Sequence, residues 1–256
     1  MNLPTPYYDD GKITLYHADA REIVPQLADA SIDMIFTDPP FGHNNNDGDL
    51  IHKWEKALGK PHTSASDARP IANDGFDDSN ELVKWLFCEA KRVLAEGSCC
   101  CCCCGGGGGP DPQFARWSLW MDEVLSFKQM VVWDKGPMGM GWHYRRSYET
   151  VLVAQRDKGK CRWYDDTNKV ENIIRRIPKT IPSAENHPTP KPPALVAYFL
   201  RLHSLQGHLI LDPFMGGGST AFACKELGRR FIGIELEERW CEMTAKRLSQ
   251  EVFDFA

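Results

Sequence analysis

The chain has 256 residues, 42% of them apolar and 25% charged, and carries a formal charge of −5 at pH 7. That size and apolar content allow a sizeable α/β core, no apolar run is long enough to span a membrane, and the negative balance excludes a protein that coats nucleic acid by bulk attraction. The opening stretch Met1 to Asp10 lacks the basic region and apolar core of a signal peptide, so a cytoplasmic address is expected, one that also suits thiols kept reduced.

Short apolar runs alternate with helical periodicity along the chain, the pattern of a doubly wound, mostly parallel α/β sheet covered on both faces. A strand over 12–17 leads to a helix over 20–28, with Asp19 where it would cap that helix. The next strand, 32–37, runs directly into Asp38-Pro39-Pro40-Phe41. The two prolines have fixed φ and no N–H, so the turn is rigid and its carbonyls are free to accept. An acidic acceptor, a carbonyl acceptor and an aromatic face together match a planar aromatic amine, such as the exocyclic NH₂ of adenine or cytosine. Read alone, the same tetrapeptide is also an ordinary Pro-rich turn after a buried strand.

Residues 42–78 are rich in Asn, Asp, Gly, His and Ser, a polar connection expected to act as a lid or binding loop. A helix over 79–95 precedes six consecutive cysteines, Cys99 to Cys104, which read as a buried strand over 98–104 followed by a flexible turn at Gly105 to Gly109. Neighbouring cysteines on a strand face opposite ways, and the other four, Cys88, Cys161, Cys224 and Cys241, show no C-x-x-C spacing, so no metal site is expected. A helix over 112–125 and strands over 129–134 and 149–154 follow.

Between those strands, Arg145 and Arg146 stand beside Trp142, Tyr144 and Tyr148, a mixture suited to phosphate and base contacts. The stretch 156–186 is also basic with aromatic residues, Arg162, Arg175 and Arg176 among them, and is the candidate target-recognition segment, or else a solvated charged connection.

After His187-Pro188-Thr189-Pro190-Lys191-Pro192 a helix over 193–205 is expected, then a strand over 208–212 that opens into Asp212-Pro-Phe214-Met-Gly216-Gly-Gly218. Gly216, Gly218 and Ala221 fit G-x-G-x-x-A, the spacing of a loop that lets backbone approach a cofactor closely. Helices over 219–228 and 237–249 flank a last strand, 230–234, which ends at Glu235, 19 residues after Gly216. An acid at that offset can take the ribose hydroxyls of an adenosine cofactor. Glycine loop and acid alone do not choose between a dinucleotide and S-adenosylmethionine.

Taken together, Asp38-Pro-Pro-Phe41, His187 to Pro192 and the Asp212 to Gly218 loop resemble the DNA amino-methyltransferases of the permuted beta group, in which the catalytic motif precedes the cofactor motif. The resemblance extends to Leu15 to Ala20, Val132 to Gly136 with Glu149 downstream, and Leu227 to Glu235. Pro190, Gly217 and Ser219 depart from the usual Gln, Ser or Ala, and Thr, all beside rather than at the expected contacts. It implies a Rossmann-like methyltransferase sheet formed by one domain over 1–256, with a catalytic half at 1–155, the recognition segment at 156–186 and a cofactor half at 187–256.

By the same resemblance Asp38, Pro39, Pro40 and Phe41 hold a flipped-out base, and Asp212, Phe214, Gly216, Gly218 and Glu235 hold S-adenosylmethionine. Thr189 and Lys191 would reach the methionine carboxylate end, and Asp19 would lie near the adenine ring. The expected partner is double-stranded DNA, with a second copy of the chain a candidate companion on the duplex, and an acidic first motif residue favours adenine N6 over cytosine N4. A nicotinamide-dependent oxidoreductase would leave Asp38 to Phe41 unused. An RNA or protein-amide methyltransferase fits the motif order less well, and a catalytically silent DNA-binding subunit would not need both halves of the chemistry. Cytosine-carbon methylation through a cysteine is disfavoured, because no Pro-Cys dipeptide occurs.

Overall fold

The computed structural model describes residues 3–42, 71–104, 113–136, 147–180 and 190–250. Nine strands form one sheet in the order β1-β2-β9-β8-β3-β4-β6-β5-β7. They are β1 (Tyr8–Asp9), β2 (Ile13–His17), β3 (Ile32–Thr37), β4 (Leu94–Cys104), β5 (Ser126–Asp134), β6 (Tyr148–Gln155), β7 (Ile173–Ile174), β8 (Leu209–Asp212) and β9 (Arg230–Glu235). The helices are α1 (Ala20–Ile23), α2 (Phe76–Val93), α3 (Gln113–Val124), α4 (Pro193–His203), α5 (Ser219–Glu226) and α6 (Glu238–Ser249). No helix among these residues is long and apolar enough to cross a membrane.

Each helix follows from its sequence. In α2, Leu82, Val83, Leu86, Phe87, Ala90 and Val93 repeat at helical spacing and are buried, while Asp77 and Asp78 begin the helix and Lys91 and Arg92 end it, as the macrodipole favours. Pro193 opens α4 at the position where its missing N–H costs nothing. The expected helix over 20–28 stops at Ile23, because Pro25 cannot continue the α ladder and the chain tightens into a 3₁₀ turn over Val24–Gln26.

The sheet is buried on both sides. On one face Ile13, Leu15, Phe36, Cys101 and Cys103 pack with Phe199 of α4, Ala221 of α5 and Cys241 of α6. On the other, Ile35, Cys100, Cys102 and Cys104 pack with Leu86 and Phe87 of α2 and Trp117 of α3. The cysteine run is therefore a central buried strand, as expected, and its alternate thiols serve two cores. The strand starts at Leu94, earlier than the sequence pattern suggests.

The sheet is mostly parallel, as expected, with antiparallel pairing at two places. β6 lies antiparallel to both β4 and β5, and β1 lies antiparallel to β2. A buried parallel strand and a buried antiparallel one read alike, since both faces need apolar residues. The edge strands β1 and β7 have two residues each, too few to produce a period.

The switch of winding direction lies between β8 and β3. From β8 the chain passes through α5 to β9 on one side, whereas from β3 it passes through α2 to β4 on the other, and β8 and β3 are direct parallel neighbours. Diverging connections leave a crevice at the carboxyl ends of those two strands. Asp38 and Asp212 stand at its two sides.

Candidate active site

The crevice is stitched together by Asp212. Its Oδ1 accepts from Thr37 Oγ1 at 2.8 Å and from the Phe214 N–H at 3.2 Å, and its Oδ2 accepts from Thr220 Oγ1 at 2.6 Å. One carboxylate thus joins the end of β3, the glycine loop and the start of α5. Its burial pushes it up to about 7 despite these donors.

The glycine loop folds back onto Glu235. The Gly216 N–H donates to Glu235 Oε2 at 2.8 Å and the Glu237 N–H to Oε1 at 2.8 Å. A carboxylate has about four lone-pair directions, so Glu235 keeps capacity for ligand hydroxyls. Gly216 and Gly218 have φ of 51° and 77°, in the left-handed region that other residues rarely enter. A Cβ on Gly218 would lie 2.4 Å from Thr244 Cγ2, so the sharp turn into α5 needs glycine. Phe214 is half-buried beside the loop.

Opposite, the tetrapeptide meets a buried cation. Lys191 Nζ lies 2.5 Å from Asp38 Oδ2 and 3.4 Å from Glu149 Oε2, and Glu149 Oε1 accepts from Lys135 Nζ at 2.8 Å. Asp38 Oδ1 is buried and has no hydrogen-bond partner among the described residues. Burial raises the Asp38 carboxyl above its ordinary value, against the pull of Lys191. Burial alone would lower Lys191, but Asp38 and Glu149 hold it well above its ordinary range. Glu149 is held down to about 2, the opposition of burial being overcome by Lys191 and Lys135.

The turn beyond is also fixed. The Phe41 carbonyl accepts from Gln113 Nε2 at 3.1 Å, and the Gly42 N–H donates to Asp74 Oδ1 at 2.9 Å. The Phe41 ring lies 6.2 Å from that of Trp117 and 5.1 Å from Lys191 Nζ. Pro39 is buried and Pro40 half-buried.

Asp38 to Phe41, Lys191, Asp212, Phe214, Gly216, Gly218 and Glu235 are therefore gathered at the carboxyl edge of the central strands. Asp19 follows β2 on the same edge, where it caps α1 by accepting from the Arg21 N–H and pairs with the Arg21 side chain. Lys191, expected toward the methionine carboxylate end of the cofactor, is turned toward Asp38 and Glu149. Lys135, within the Val132 to Gly136 stretch of the resemblance, and Glu149 downstream of it carried no assigned role, and the structure brings both to Lys191.

The basic candidates separate. Arg162 sits at the opposite edge, where its guanidinium pairs with Asp33 near the start of β3 at 2.6 Å, and this corrects its place among DNA contacts. Composition marks a basic segment but not which end of the sheet it reaches. Arg175 and Arg176 are exposed just after β7, which runs parallel to β5, so they lie on the same edge as the crevice, with Arg175 paired to Glu171 at 2.7 Å. Thr189, Arg145 and Arg146 lie outside the described residues, as do 43–70 and the glycine turn 105–109.

Comparison with known proteins identifies the family and the fold. A family model described as DNA methylase, covering the N6 and N4 methyltransferases, matches residues 32–246. The type II methyltransferase M2.DpnII of Streptococcus pneumoniae is 26% identical over 96% of this chain and 93% of its own length. The DNA adenine methyltransferase YhdJ of Escherichia coli (strain K12) is 25% identical over 96% and 85%. The crystal structure of M1.HpyAVI with SAM superposes with a TM-score of 0.66 at 26% identity, over 93% of this chain and all of that one. The cytosine-N4-specific PvuII DNA methyltransferase shares the fold, with a TM-score of 0.69 at 15% identity over 97% and 90%.

Proposed function

The chain belongs to the DNA methylase family, whose S-adenosylmethionine-dependent members methylate exocyclic amines of DNA bases, and we propose that its own target is the N6 amine of adenine in a flipped-out base. The observation that carries the reading is Asp38: a half-buried acid just after β3, across the crevice from the glycine loop, whose Oδ1 is buried and has no hydrogen-bond partner among the described residues.

S-adenosylmethionine, when bound, supplies a methyl group on a cationic sulfur. The glycine loop, with φ values of 51° and 77° at Gly216 and Gly218, and Glu235 with spare acceptor capacity fit its adenosine part. Asp19 and Phe214 would flank that moiety on the same edge, and Thr189 would approach the methionine end. Asp212 acts by holding the loop, since its oxygens already serve Thr37, Phe214 and Thr220.

The aromatic amine is a poor nucleophile because its lone pair is delocalised into the ring. Asp38 Oδ1 accepts one N–H and the Pro39 carbonyl the other, which draws the nitrogen toward tetrahedral geometry while Phe41 receives the base. Lys191 fixes the rotamer of Asp38 and favours its ionised form, and Glu149 with Lys135 holds Lys191 in turn. Asp38 is also the group within reach of the proton that the alkylated nitrogen sheds. Arg175 and Arg176, with Arg145 and Arg146, would bear on the phosphates of the duplex.

The physical pocket offers acceptors that suit either amine, so the base is identified by product. DNA from cells expressing the protein, digested to nucleosides and analysed by mass spectrometry, is expected to contain N6-methyladenine. N4-methylcytosine without N6-methyladenine would overturn the adenine assignment.

A further inference from the structure

At the edge of the sheet opposite the crevice, three potential metal ligands converge from three separate parts of the chain. Cys99 is on β4, Cys161 follows β6, and His203 ends α4; one ligand atom of each lies within 4.8 Å of the others. The two sulfurs are 3.5 Å apart. Tetrahedral zinc with Zn–S bonds of about 2.3 Å sets its thiolates roughly 3.8 Å apart, whereas a disulfide requires about 2.05 Å.

The cluster is held from outside. The Arg162 N–H donates to the Gly97 carbonyl at 2.9 Å and the Tyr164 N–H to the Leu202 carbonyl at 2.9 Å, so the segment carrying Cys161 is fastened to both β4 and α4. Gly97 has a φ of 74°, and a Cβ there would lie 2.5 Å from the Lys160 carbonyl oxygen. Only glycine lets the segment approach that closely. The Trp163 ring stands edge-on to His203 with centroids 5.2 Å apart.

A second observation points to a ligand. His203 is only 5% exposed, and its buried Nδ1 has no hydrogen-bond partner among the described residues. A buried ring nitrogen in that condition is costly unless something occupies it. Beside the three residues opens a cavity of about 250 Å³ whose wall is largely apolar, with Val131, Val153 and Phe199, but also includes Glu171 and Asn172.

We propose that Cys99, Cys161 and His203 form a site for a divalent zinc ion, with a water from the adjoining cavity as fourth ligand. Binding forms two Zn–S bonds and one Zn–N bond, each thiol yields its proton to solvent, and no electrons are exchanged. The ion would fasten the 160–164 segment to β4 and α4, remote from the methyl-transfer crevice.

The test is titration of the reduced, metal-free protein with Zn²⁺ against a chromogenic chelator, and with Co²⁺, whose thiolate bonds give a distinct charge-transfer absorption. One equivalent should bind with that absorption. Cys161→Ser, at a half-buried position, and His203→Gln should each weaken binding by more than the roughly 10–100-fold typical of outer-shell changes. Exposed Cys88→Ser should change nothing. Unaltered affinity and absorption in Cys161→Ser and His203→Gln, or binding of no metal by the folded parent, would overturn the site. So would a Cys99–Cys161 disulfide found by peptide mapping as the stable state of the protein in the presence of zinc.

Discussion

Asp38 and Asp212 follow or end adjacent parallel strands and are both largely withdrawn from solvent, yet they are treated differently. Asp212 accepts from two hydroxyls and a backbone N–H, all neutral, and both its oxygens are engaged. Among the described residues Asp38 faces one cation through Oδ2 and leaves Oδ1 without a partner. A satisfied acid fixes structure, whereas a buried acid with one unused acceptor is arranged for a donor that arrives from outside. Under the proposed function, the side of the crevice that reacts is the incomplete one.

The largest effect is expected where that incompleteness is removed. Asp38→Ala should lower single-turnover methyl transfer to DNA by about 10³-fold or more, a loss on the scale of deleting a key transition-state hydrogen-bond partner. Cofactor affinity measured by calorimetry should stay close to parental. Transfer at the parental rate would refute the role of Asp38.

Lys191→Met leaves Asp38 and Glu149 without the cation between them and should lower transfer by about 10²-fold. Lys191 opposes the rise that burial imposes on Asp38. Its loss should therefore move the acidic limb of the transfer rate to higher pH, because Asp38 must be ionised to accept. A pH profile identical to the parent would show that Lys191 does not act through Asp38.

On the satisfied side, damage should register as stability. Gly218→Ala forces a side chain into the left-handed region against Thr244 and should cost about 1–3 kcal/mol in denaturant unfolding, with weakened cofactor binding. Unfolding indistinguishable from the parent would sever the turn from the packing of α6.

The smallest and most diagnostic contrast concerns pH. Glu149 is lowered from 4.5 to about 2, so its stabilisation is present above about 4.5 and lost as pH falls toward 2. Asp212 is raised from 3.8 to about 7, so its contribution is complete below 3.8 and lost as pH rises through 7. Glu149→Gln should flatten the acid side of the stability curve and Asp212→Asn the neutral side, as read by chemical denaturation across pH. The same slope on both sides in either variant would contradict the difference between the two acids.

Much of the crevice was legible because its chemistry is local. Asp38 to Phe41 and Asp212 to Gly218 are contiguous and each follows an apolar strand, so spacing alone places them at strand ends. The pairing of these motifs was not legible, since Lys191 lies 153 residues from Asp38 and no local spacing links the two. Arg162 shows the limit of composition, which reports charge but not which edge of a sheet a segment reaches. The antiparallel placement of β6 escaped because burial on both faces erases the signature of direction. Cys99 and Cys161, 62 residues apart, share no spacing that a sequence pattern could recognise.

The all-cysteine stretch of β4 has a consequence for how the chain finds its alignment. Six identical side chains carry no positional information: sliding the strand by one residue exchanges one thiol for another against the same neighbours, so side-chain identity within the run cannot distinguish right from wrong pairing. The alignment must be written at its borders. Leu94 opposite Ile32 and the Gly97 bond to Arg162 mark one end, and Thr150 Oγ1 donating to the Cys104 carbonyl at 2.9 Å marks the other. β4 behaves as a blank ruler graduated only at its two tips.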